Sequence, residues 1–120
     1  MIRATMIAAV ALITTIVACG PATPKTGEEL LLACREFEKT MAGQVIENRE
    51  RQMAGFAACI GAIAGIEAVS PNAGCPPEDR PPEQAVEVVM NYLKANPAQL
   101  HRHPSAFVGD ALREAWPCPK

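Results

Sequence analysis

The chain has 120 residues, with 13 acidic against 11 basic side chains and a formal charge of −2 at neutral pH. That balance argues against nucleic acid as a partner, which asks for a clustered basic face. Aromatic residues are only 4% of the chain, so a core built here must rely on small side chains, and covalent support is expected.

Residues 1–18 read as an export signal: a single positive charge at Arg3, the apolar run "MIAAVALITTIVA", and small residues before the break. The run is too short to cross a bilayer, which takes roughly 20 apolar residues. Ile16-Val17-Ala18-Cys19 resembles the bacterial lipobox, which implies that the Cys19 thiol carries diacylglyceryl and becomes the acylated amino terminus. Two or more acyl chains anchor stably where one holds only marginally. Gly20 after the cysteine, in place of Asp, resembles the sorting default for the outer membrane. The expected organisation is a signal peptide at 1–18, a lipid-anchored tether at 19–27 and a helical domain at 28–118. Cleavage would remove Arg3 and leave 102 residues with a balance of −3.

The first helix is expected after Thr26-Gly27, where Glu28 and Glu29 suit a helix N-terminus. Leu30, Cys34, Phe37 and Met41 then recur on one face, and the segment ends near Gly43. A second helix, from about Asn48 to Val69, has no charge between Met53 and Ile66. So uncharged a run suggests a central helix buried on most sides, with Ala58, Gly61, Gly65 and Ala68 admitting a neighbouring backbone. "SPNAGCPPEDRPP" reads as a rigid loop, because its prolines deny regular hydrogen bonds. The third helix has Pro82 in its first turn, Val86, Val89 and Leu93 inward, and Glu83, Glu87 and Lys94 outward. Asn96-Pro97 ends it. Pro104 should kink the chain ahead of a last helix from Ser105 to Trp116, with Val108, Ala111, Leu112 and Ala115 inward. The fold class is therefore all-α, a bundle of four to five helices stapled by disulfides.

With Cys19 assigned to the anchor, Cys34, Cys59, Cys75 and Cys118 remain. Four cysteines in a short exported chain read as two disulfides, and none forms the close Cys-x-x-Cys pair usual for zinc. An antiparallel hairpin of the first two helices puts Cys34 and Cys59 at one height. Cys75 ahead of the third helix and Cys118 after the fourth lie at one end of a second antiparallel pair. The favoured bridges are thus Cys34–Cys59 and Cys75–Cys118, closing loops of roughly 24 and 42 residues and contributing about 3.5 and 4 kcal/mol in the chain-entropy model.

Chemistry is sparse. His101 and His103 flank Arg102, a spacing that shares a face on a strand but diverges on a helical turn. Neither Ser70 nor Ser105 sits in a nucleophile elbow, and Glu78, Asp79 and Glu83 read as a solvated acidic loop. Phe107 and Trp116 read as core or lid. No catalytic residue, cofactor or metal is expected, and an enzyme is not the reading.

The order "GEELLLAC", "CIGAIAGIEAV", "CPPE…PPEQAVEVVMNYLKANPAQLH" and "ALREAWPC" is similar to the Rap/Tai family of type VI secretion immunity proteins. In that family's terms, the Cys-bearing first helix maps to Cys34 and the Cys-x-x-x-x-x-Gly helix to Cys59 with Gly65. The Cys-x-Pro loop maps to Cys75 with Pro77, the Gln-x-x-x-Val-Val-x-x-Tyr-Leu helix to Gln84 through Leu93, and the terminal pair to Pro117-Cys118. The resemblance implies a periplasmic helical domain, often dimeric, that binds a toxic peptidoglycan amidase and occludes its active site. The lipobox and Pro104 depart from the family pattern. The alternative is a small periplasmic chaperone or envelope-structural lipoprotein of Hde-like type.

Overall fold

In the computed structural model, which describes residues 23–45 and 47–120, the first helix begins where a threonine caps it. Thr26 Oγ1 accepts the Glu29 amide at 3.1 Å, and the Glu29 carboxylate accepts the Lys25 amide at 2.7 Å, a reciprocal arrangement close to a capping box. This helix, α1, runs Gly27–Met41. It closes with the Gln44 amide on the Lys39 carbonyl and the Gly43 amide on that of Thr40, both at 3.0 Å, the paired bonds of a Schellman turn. Helix α2 spans Arg49–Val69 behind Asn48, whose side chain accepts the Arg51 amide. Helix α3 runs Pro82–Ala95 with proline in its first turn, and α4 runs Val108–Ala115. Two 3-10 turns, Pro97–Gln99 and Pro104–Ala106, lie between α3 and α4. Among the described residues there is no strand, so the fold is all-α as its periodicity predicts. The signal segment and Cys19 lie outside the described residues.

The core gathers Leu30, Cys34 and Phe37 of α1, Val86, Val89 and Leu93 of α3, Phe107, and Val108 and Leu112 of α4. Each large apolar side chain so buried contributes about 2 kcal/mol relative to exposure. Cys34 is bonded to Cys59, with Cα atoms 4.9 Å apart, and Cys75 to Cys118, at 4.8 Å. The turns between α3 and α4 also hold the start of α1: the Gly27 and Glu28 amides donate to the Arg102 and Leu100 carbonyls at 2.8 and 2.9 Å. Those are two of the amides that a helix start leaves without an internal partner.

Three expectations change. First, α2 is not the buried centre: only Gln52, Cys59 and Ile63 are buried on it, whereas α3 buries five residues. The uncharged stretch from Met53 to Ile66 carries no charge pattern to mark which side faces inward, so periodicity could not place it. Second, Gly61 and Gly65 face open space, and the close approach is made at Gly55 instead. Third, α4 starts at Val108 rather than Ser105, because Pro104–Ala106 is taken up in a 3-10 turn, and Ala115 is exposed.

The proline loop is pinned to the carboxyl end. Arg80 pairs with Glu67 of α2 while its guanidinium lies 4.8 Å from the centre of the Trp116 ring, so one cation joins loop, α2 and α4 through charge and π contact. The Cys75 amide donates to the Trp116 carbonyl at 2.7 Å. Gly74, with φ at +82°, makes this approach feasible, since a Cβ there would stand 2.5 Å from the Trp116 carbonyl oxygen and 2.9 Å from Arg113 Cα. Gly74→Ala combines a left-handed backbone with a clash against main chain, and should cost about 3 kcal/mol in urea denaturation of the oxidised protein.

Candidate binding surface

The residues with chemical potential in the sequence do not converge. His103 caps the turn at Pro104–Ala106: its Nδ1 accepts the Ser105 amide at 3.1 Å and lies 2.8 Å from Ser105 Oγ. His101 is exposed nearby, Ser70 closes the end of α2, and Glu78, Asp79 and Glu83 are exposed around the proline loop. Among the described residues no group of three or more His, Cys, Asp or Glu is placed to hold a metal. Phe107 is core and Trp116 is the lid under Arg80. What the helices offer instead are surfaces.

The outer face of α2 is the first. Met53 is 48% exposed and Val69 80%, and between them Ala57, Gly61, Ala64 and Ala68 are also exposed. They follow one another at helical spacing, so the face is apolar, smooth and free of charge. By length and composition α2 is the one described helix that could cross a membrane. The Cys34–Cys59 bond, however, holds it along α1, whose exposed Arg35 and Glu38 would be drawn into hydrocarbon with it.

Two grooves flank α1. Between α1 and α2 lies one of about 540 Å³, floored by Leu32, Ala33, Ala54 and Ala58 and rimmed by Arg35, Lys39 and Arg51. Glu36 crosses it: one carboxylate oxygen accepts from Lys39 Nζ at 3.0 Å, and the other is buried with no partner. The Glu36 stem lies directly on Gly55, where a Cβ would stand 2.7 Å from Glu36 Cβ and 2.8 Å from its Cγ. Between α1 and α3 a groove of about 310 Å³ is floored by Phe37, Met41 and Met90 and rimmed by Glu38, Glu83 and Glu87. The sequence places Glu83 and Glu87 outward and Arg35, Glu36, Glu38 and Lys39 on the polar side of α1, but does not show that they rim two grooves. A signal for the first does lie in the sequence: Leu32, Arg35, Glu36 and Lys39 share one side of α1 at spacings of three and four.

Residues 26–118 match the family model of the Rap1a immunity proteins. No curated protein and no solved structure matches the chain.

The two kinds of glycine on α2 should respond oppositely to the same change. Gly61→Ala, with nothing within 4 Å of the added carbon, should stabilise by up to about 1 kcal/mol through helix propensity. Gly55→Ala should instead destabilise by about 1–2 kcal/mol net, because α1 must move off the new methyl. Paired thermal or urea melts of the oxidised variants, run at dilutions where the chain is monomeric, decide it.

Proposed function

We propose, from the premise that this chain belongs to the Rap1a immunity protein family, that it protects its own cell by binding a peptidoglycan-degrading amidase in the periplasm and covering that enzyme's active site. The observation that carries the reading is the family match across nearly all of the helical domain. Two disulfides are consistent with an exported protein. The lipobox at Cys19 supports a tether to the outer membrane, where a diffusing toxin would be intercepted. Inhibition of this kind needs no chemistry from the inhibitor, only a rigid face whose burial in the enzyme's cleft excludes substrate.

The uncharged face of α2 supports a further part of this reading, a homodimer in which two copies lay their α2 helices together. Small side chains let two helices approach closely, and one face pairing with itself gives a closed two-fold assembly. Gly61→Arg places a charge in the middle of that face with no neighbour in the monomer to disturb. Sedimentation of this variant should show monomer where the parent shows dimer, with the helical circular dichroism unchanged.

The functional test is survival. An exported amidase encoded beside this chain's reading frame should lyse cells when produced in the periplasm, and co-production of the full chain should restore viable counts by several orders of magnitude. Equal killing with and without the chain would remove the immunity reading for that toxin.

A further inference from the structure

We infer that the toxin docks in the groove between α1 and α2, and that the part of it received there is an acidic segment carrying an apolar side chain at its centre; this rests on the immunity reading above. The first argument is sign. In a chain with more acidic than basic side chains, this rim sets three cations against a single carboxylate. Lys39 is already bonded to Glu36, but among the described residues neither Arg35 nor Arg51 has a hydrogen-bonded or ionic partner on its side chain. Two free guanidiniums, one from each helix, thus line a single groove with an apolar floor. They are suited to paired recognition of carboxylates.

The second argument is what the floor lacks. Leu32 is 53% exposed and sits among alanines, so the floor is apolar and shallow where an aliphatic or aromatic side chain could be covered. Glu36, the one carboxylate on this rim, is held by Lys39 at 3.0 Å and has its other oxygen buried, so it presents little negative charge to an incoming segment. The third argument is rigidity: the Cys34–Cys59 bond and the contact at Gly55 fix the two walls before binding, which lowers the ordering cost of association. The groove on the other side of α1 also has an exposed apolar side chain on its floor, Met41, but no free guanidinium on its rim. Its sign follows that of the whole chain, and Glu38 there is already paired with Lys94 at 3.4 Å. The dimer face is separate too, centred about a third of a turn around α2 from Arg51 and Ala58.

The test uses the oxidised protein purified from the periplasm and the same amidase as in the survival assay. Arg35→Glu with Arg51→Glu should weaken the complex by roughly 100-fold, mainly through slower association, and added salt should weaken the parent complex in the same way. Glu83→Lys with Glu87→Lys, on the opposite groove, should change affinity by less than about threefold. Near-ultraviolet circular dichroism checks the fold, and Arg35→Gln with Arg51→Gln replaces the reversal if that variant misfolds. Binding by the parent with undiminished binding by the groove variants overturns the groove alone. Loss confined to the Glu83/Glu87 variant moves the site to the acidic groove and a basic segment. Cosedimentation with anionic phospholipid vesicles that depends on Arg35 and Arg51, with toxin binding intact, reassigns the groove to the membrane surface. No binding by the parent removes the immunity reading for this toxin, and this proposal with it.

Discussion

The bond between Cys34 and Cys59 joins two helices that differ in kind. Helix α1 buries a clear stripe, while α2 has three buried residues and exposes most of an uncharged length. A helix so weakly committed to the core would gain little from packing alone, because partly covered residues such as Phe56, Ile60 and Ile66 retain contact with water. The covalent link makes α1 and α2 a unit by reducing the freedom of the unfolded chain. Gly55 then lets that unit close tightly, and the Phe37 and Phe56 rings stack beside it, 5.2 Å apart.

The other end of the bundle solves a different problem. A loop rich in proline cannot join a hydrogen-bonded lattice, so it is held by side chains and by the second disulfide. Arg80 gathers Glu67 and Trp116, Gly74 admits the main chain of α4, and the Cys75–Cys118 bond fastens the carboxyl terminus. Neither end depends on a large apolar interior. This accords with a chain that contains three Phe, one Tyr and one Trp.

For a protein whose family works by binding, rigidity of the exposed faces matters more than any reactive group. Both grooves beside α1 have walls fixed by helix packing or by a disulfide, and the apolar face of α2 lies along a straight helical surface. Such surfaces meet a partner with little reorganisation, so affinity can come from a few desolvated contacts. His103, Ser105 and Ser70 have local roles instead, closing a turn and a helix end.

Much of the fold was legible in the order of residues because its causes are local. Thr26, Asn48 and Pro82 mark helix starts, Pro104 breaks the last segment, the spacing of Val86, Val89 and Leu93 declares the inner side of α3, and the four domain cysteines come in a number suited to two bridges. Tertiary structure alone decided how α2 is turned, which glycine is crowded, and that Arg35 and Arg51 line one groove. The physical reason is that a long uncharged stretch rich in small residues, such as Met53 to Ile66, packs nearly as well on several sides. Its orientation is therefore set by the neighbour it is bonded to, and not by any period along its own chain.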